Sequence, residues 1–301
     1  MSQLNLVADR QAEWSQTANH LKSQIDRTRW LVFLLSVLGA LAAAVASQMP
    51  AAEQVSITLA PRTWVAVIGV VCLASATFFT SRLLGAEHVI AWVRARVIAE
   101  GLKSAAYKFA ARAAPYNDPD AAKAARLLDD ERQKIERDGD DLLPRMVKAK
   151  DAGSVPRQLL SPDEYVAKRV QWQIQEFYRP GANEYRAQAS RLRRVEFVLA
   201  LAATLITAIA SVTGKTALIS GVTFDIAALT AVLTTIASSV LAHVEASRLD
   251  YLATSYLAVA RRLEDLLNKQ PGDWSDFVNA CETAIATENA SWMAKLTKAT
   301  S

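Results

Sequence analysis

Four stretches of the chain carry no Asp, Glu, Lys or Arg: Trp30–Ser47, Thr63–Ser81, Phe197–Gly214 and Ile226–Ala242. Each is close to the ~20 apolar residues that carry a helix across a bilayer core. Between them the pattern changes to charged, helix-periodic sequence. The four windows fall into two pairs, each joined by a short loop, Gln48–Arg62 and Lys215–Asp225. The pattern predicts an all-α integral membrane protein, with four transmembrane helices as two tandem hairpins and long stalk helices forming a bundle in water. Strand-like alternation is almost absent; Val55–Leu59 is the one β-like run.

The halves repeat one plan in the same direction. A polar helical lead-in ends in arginines (Arg27 and Arg29, then Arg191, Arg193 and Arg194), followed by a span, a short loop, a second span and a long amphipathic helix. This reads as a first unit over residues 1–150, a linker over 151–160 containing Gly153 and Pro156, and a second unit over 161–301. From Val222 to Gln270 there is no Gly or Pro, so one nearly continuous helix is expected, part of it outside the membrane. On its outer part Leu249, Leu252, Tyr256, Val259, Leu263 and Leu266 form a heptad seam that requires a partner helix. Trp14, Ala18, Leu21 and Ile25 repeat the spacing. Two outcomes stand: the seams bury one another within a chain, or they join copies.

Punctuation marks the helix ends. Ser161-Pro162-Asp163-Glu164 is a capping box that starts a helix through Trp172 to Tyr178, with Pro180-Gly181 as its stop. Asp118-Pro119-Asp120 starts Ala121–Gly139; Pro271-Gly272 ends the stalk; Asp273 caps a last helix from Trp274 to about Lys298.

The net charge of +4 and pI near 9.1 change the picture through their placement. Of the 34 Lys and Arg, only Arg62 and Lys215 lie in the two short loops. That asymmetry puts the N-terminal, central and C-terminal segments in the cytoplasm. It argues against nucleic acid as a partner, since no basic stripe interleaves with aromatics. Arg27, Arg29, Arg82, Arg191, Arg193, Arg194 and Arg248 are expected at the cytoplasmic headgroups, each contributing about 1 kcal/mol of attraction to anionic lipid. Trp30 and Trp64 suit interfacial belts at opposite faces. The first window is read as an uncleaved span, because a long charged segment precedes it. Cys72 and Cys281 form no disulfide framework, and the three histidines lack metal-ligand spacing.

Catalytic patterns are missing: no Gly-rich phosphate loop, no nucleophile elbow, no C-x-x-C. Acidic groups such as Asp129-Asp130-Glu131 alternate with bases and read as solvated helix faces. No enzyme activity and no cofactor are expected. The polar residues inside the spans are more informative. Thr204, Thr207 and Ser211 share one face of the third span, and Thr230, Thr234 and Ser238 one face of the fourth. They suit a hydroxyl-lined pore or vestibule, or close helix packing. Small-residue ladders at Ser36, Ala40, Ala44 and at Ala227, Ala231, Thr235, Ser239 belong to the packing reading. The absence of charge within the spans argues against an ion-coupled transporter.

The chain resembles the SLATT families, the "SMODS and SLOG-associating two-TM effector" domains, in tandem, a third-subfamily unit followed by a first-subfamily unit. The likeness rests on the repeated lead-in, hairpin and stalk. It is closer in the second half, with the aromatic entry Tyr165 to Tyr178, Arg191–Arg194, and Glu288-Asn289-Ala290-Ser291-Trp292 in the closing helix. The resemblance implies a bacterial inner-membrane effector of conflict or antiviral systems, pore-forming or membrane-perturbing, triggered from the cytoplasm. Its partners would be the lipid bilayer, further copies of itself as a homo-oligomer, and a sensor acting in trans. The alternative is a non-conducting membrane scaffold whose helical bundle binds a partner protein.

Overall fold

A computed structural model describes residues 2–49, 60–149, 153, 155–213, 216–219, 222–269 and 272–298, without side chains at 213, 216–219, 222–228, 246 and 288–298. The helices are α1 (Gln3–Gln48), α2 (Pro61–Leu83), α3 (Ala86–Ala110), α4 (Ala121–Arg137), α5 (Pro162–Tyr165), α6 (Arg179–Thr213), α7 (Ile226–Ser247), α8 (Leu249–Lys269) and α9 (Trp274–Lys298). Two strands, β1 (Thr216–Ile219) and β2 (Val222–Asp225), pair antiparallel with Thr216 opposite Asp225. This hairpin corrects the expectation of a helix beginning at Val222. Ser220 and Gly221, between the two strands, lie outside the described residues. The expected β-like run Val55–Leu59 lies outside the described residues.

The chain forms two compact units, each drawn from both sequence halves. The bundle unit comprises Met1–Ile25, Gly85–Glu184 and Leu252–Ser301; the span unit comprises Asp26–Leu84 and Tyr185–Tyr251. The chain passes between them unbroken within α1 and α6. It also passes at the break Leu84–Gly85 and within the first turn of α8, after Tyr251; α7 itself is closed by Arg248, whose φ of 47° lies in the left-handed region. The expected continuous stalk is therefore two helices. No Gly or Pro marks the break, because a left-handed residue can close a helix whatever its type when tertiary contacts hold it there.

A second correction concerns Pro180-Gly181. These residues do not stop a helix; the chain runs helically over Pro162–Val212. The turns Val166–Gln171 and Gln173–Tyr178 are π-helical. Widened turns just ahead of Pro180 relax the clash between its ring and the carbonyl four residues back, the step that otherwise breaks a helix. Gly181 serves packing instead: a Cβ there would stand 2.9 Å from the Tyr256 ring. The expected caps at Ser161, Asp120 and Asp273 form, the helix after Asp120 ends at Arg137, and Pro271 lies outside the described residues. Ser161 Oγ accepts from the Glu164 amide at 3.2 Å while Ser161 N donates to Glu164 Oε2 at 3.0 Å. Asp120 accepts from Ala122 and Lys123, and Asp273 from the Asp276 amide.

In the bundle unit α3 packs on α9 and α4, with two apolar clusters. The first joins Leu4, Val7, Trp14, Ala18 and Leu21 to Ile98, Leu102, Leu128 and Leu142. The second joins Tyr165, Val170, Ile174 and Tyr178 to Val259, Leu263, Leu266, Phe277 and Val278. The heptad seam is thus satisfied within the chain: Val259, Leu263 and Leu266 are buried, and Tyr256 packs against them. Leu252 is half-buried, and Leu249 is buried in the span unit.

The span unit contains the four expected spans. Little of their apolar windows is buried inside the molecule, from 6% to 24%, and Trp30, Leu38, Val70, Phe78, Phe197, Leu205 and Ile209 are exposed. Apolar surface on this scale is not sustained in water; lipid is the solvent that accepts it. The protein is a multi-pass membrane protein.

Candidate functional site

The six hydroxyl residues singled out by periodicity converge. Thr204, Thr207 and Ser211 on α6 and Thr230, Thr234 and Ser238 on α7 line a single open groove of about 630 Å³ in the span unit. Ala200, Ala203, Ala208 and Ala237 keep its walls small, Leu241 is apolar, and Glu196 adds a carboxylate. Five of the six hydroxyl residues are exposed in the single chain, with Thr230 half-buried.

Their hydrogen bonds turn inward along each helix. Thr204 donates to the Ala200 carbonyl at 2.9 Å, Thr207 to Ala203 at 2.8 Å, Ser211 to Ala208 at 2.7 Å, and Thr234 to Thr230 at 3.0 Å. Donation to a carbonyl one turn back satisfies the hydroxyl hydrogen and makes the residue tolerable in an apolar medium. It leaves the oxygen lone pairs facing the groove as acceptors. The hydroxyl faces therefore offer uncharged oxygens, with the Glu196 carboxylate on the same groove, which suits weak solvation of water or a cation or the seat of another helix.

The expected small-residue ladder on α7 is not its packed face: Ala231 and Thr235 are exposed, whereas Val232, Ala237, Val240 and Val244 are buried. The basic residues Arg27, Arg29, Arg82, Arg191, Arg193, Arg194 and Arg248 all belong to the span unit. All lie beside the apolar windows in sequence, and all but Arg29 and Arg248 are exposed. Arg193 pairs with Asp250, and Arg29 with Asp26 at 3.8 Å.

The bundle unit holds a polar centre that the sequence reading missed. Arg169 and Glu282, 1% and 0% exposed, form a two-pronged pair: Nε to Oε1 at 2.9 Å and Nη2 to Oε2 at 2.8 Å. The Tyr165 hydroxyl donates to the same Oε1 at 3.1 Å, and the guanidinium lies 4.5 Å from the centre of the Tyr107 ring. Burial alone would lower the Arg169 pKa, but the adjoining Glu282 charge carries it above the ordinary value. A second centre forms at Glu136, which accepts from Arg10 Nε at 2.6 Å, the Trp14 indole at 3.0 Å and Arg132 at 2.6 Å. The only advance signal was polar residues at helix-periodic core positions, which does not name partners more than a hundred residues apart.

Burial, reinforced by Glu282, pushes the neighbouring Cys281 thiol up to about 12. Burial also raises Tyr165, Tyr107 and Tyr116. The unfolded chain releases these protons first, so the stability they contribute is complete below a pH of about 8.5 and is lost progressively above it. We expect the thermal midpoint of the detergent-solubilised chain to fall from pH 8.5 to pH 11. We also expect Cys281 to resist iodoacetamide at pH 8 until the chain unfolds. A midpoint that rises over that range would contradict this account.

Comparison with known proteins finds one family match in each half of the sequence. Residues 165–292 match the SMODS and SLOG-associating 2TM effector domain 1 family, and residues 12–124 match a family described as a protein of unknown function (DUF4231). The two matches are consistent with a SLATT-type tandem arrangement, the second beginning at Tyr165, with Trp292 at its end. No curated protein and no solved structure matches the chain.

Proposed function

We propose that the protein is an oligomeric effector of a defence system that perforates or perturbs the bacterial inner membrane when signalled from the cytoplasm, a reading supported by the match of residues 165–292 to the 2TM effector domain family. The observation that carries this reading is the convergence of six hydroxyl side chains on one open groove of the span unit. In lipid, oxygens facing acyl chains are less favourable than oxygens facing water or protein. Copies arranged about a closed axis would turn their grooves toward a shared lumen. The positive-inside asymmetry supports cytoplasmic termini, with a sensor protein acting in trans. The reading involves no catalytic step, no cofactor and no nucleic acid.

The internal hydrogen bonds of the hydroxyls favour a second reading, a non-conducting scaffold whose groove seats a helix and whose bundle unit holds a partner protein. Conductance in planar bilayers separates the two. The effector reading expects channel-like steps from the wild-type chain, abolished by Thr207→Leu with Thr234→Leu at unchanged expression. It also expects a detergent-solubilised mass of several chains. Silence at every assembly size, with a soluble partner co-purifying, selects the scaffold.

A further inference from the structure

Glu196 is the one charged residue among the described residues that line the groove of the span unit. It stands on α6 four positions before Ala200 and eight, eleven and fifteen before Thr204, Thr207 and Ser211. Helical period therefore puts it on the same face, at the foot of the hydroxyl stripe. It is half-buried and enters no ion pair among the described residues, although three arginines precede it closely. Arg193, one turn back, is engaged by Asp250. Arg191 and Arg194, five and two positions back, fall on the opposite side of the helix and are exposed. None of the three lines the groove. A half-buried carboxylate without a counter-charge is unfavourable unless water or a cation reaches it.

The rest of the wall carries the same preference by a different route. An anion needs N–H or O–H donors, and a cation needs lone pairs. Thr204, Thr207, Ser211 and Thr234 give their hydroxyl hydrogens to carbonyls of their own helices. The alanines and Leu241 supply no side-chain donor, and no lysine, arginine, histidine or side-chain amide lines the groove among the described residues. The surface is thus rich in acceptors and poor in donors, with a negative charge at one end. On α7 the face of Thr234, Ser238 and Leu241 continues one turn on to Glu245, which is exposed. The hairpin brings the start of one span and the end of the next to the same side, so the second wall also ends in a carboxylate there.

We infer that the groove is cation-selective: Glu196 draws inorganic cations such as potassium into the path and turns chloride away, and the hydroxyl oxygens pass the cations along. This rests on the effector reading above, in which copies of the chain close their grooves around water. In such an assembly each copy contributes one Glu196, and together the copies set a ring of carboxylates at one mouth, the arrangement that confers cation preference on a pore. By the positive-inside asymmetry that mouth is the cytoplasmic one. Neutral hydroxyls hold a cation weakly, so the path distinguishes the sign of the charge and hardly distinguishes sodium from potassium. The field of carboxylates that face water is screened by salt, so the preference is strongest in dilute solution.

Reversal potentials of the full chain in planar bilayers under a dilute KCl gradient test it. The wild type is expected to reverse close to the potassium equilibrium potential. Glu196→Gln changes the charge alone, at a side chain with no ion pair to lose, and should move the reversal potential toward zero; Glu196→Lys should carry it to the chloride side. Glu184→Gln, exposed on the same helix and outside the groove, should leave it in place. Currents that carry chloride as readily as potassium overturn the inference and leave the effector reading standing. So does a reversal potential that Glu196→Gln does not move, or that Glu184→Gln moves as far. Bilayers that stay silent overturn the effector reading and this inference with it.

Discussion

Glu282→Ala is expected to destabilise the bundle unit by about 3–5 kcal/mol, the cost of leaving a buried charge without its partner. Arg169 is fully enclosed, and two of its nitrogens and the Tyr165 hydroxyl depend on this carboxylate. The loss should appear as a large drop in the thermal midpoint followed by near-ultraviolet circular dichroism, since Tyr165, Trp274 and Phe277 stack around the same site with ring centres 5.6–6.5 Å apart. Removing both charges, as Arg169→Met with Glu282→Leu, should recover most of the loss, because apolar side chains of similar volume need no counter-charge. If Glu282→Ala melts with the wild type, the pair is not what joins α9 to the π-helical turns.

Gly69→Leu is expected to disrupt the first hairpin of the span unit. A Cβ on Gly69 would stand 3.2 Å from the Gly39 carbonyl oxygen and 3.4 Å from the Ala43 amide nitrogen, and one on Gly39 would stand 3.2 Å from the Gly69 carbonyl. These neighbours are backbone, which cannot turn aside as a side chain does. Close approach of this kind is how helices bind in lipid, where apolar burial supplies no drive. A leucine must push α1 and α2 apart, at about 1–3 kcal/mol by analogy with overpacked cores. Gly69→Ala needs a shift of a few tenths of an ångström and should be mild, and Gly272→Ala, with nothing within 4 Å of the added carbon, should be silent. Loss of helicity against a denaturing detergent series measures all three. Equal curves for Gly69→Leu and wild type would mean that α1 and α2 do not touch at this point.

This crossing also shows where sequence reading stopped. The expected ladder on the first span was Ser36, Ala40 and Ala44, all half-buried; the buried contact is Gly39 against Gly69, with Ala42 and Ala43 beside it. Both stripes are made of small residues, and only the partner helix distinguishes them. On α7 the same ambiguity resolved toward Val232, Ala237, Val240 and Val244. By contrast, the hydroxyl positions were legible, because three residues at helical spacing share a face whatever surrounds them. That the two faces meet in one groove was not.

What the chain determines by itself is local. Uncharged windows must leave water, capping side chains satisfy amides two or three residues away, and helical period sets each face; these depend on neighbouring residues alone. The tertiary structure decided what depends on meetings between distant segments. It carried helix through Pro180, broke the stalk at Arg248, and joined Arg169 to Glu282 across 113 positions. The physical reason is that a buried charge, a widened turn or a left-handed residue is unfavourable alone, and is held only by contacts that exist after the chain has folded.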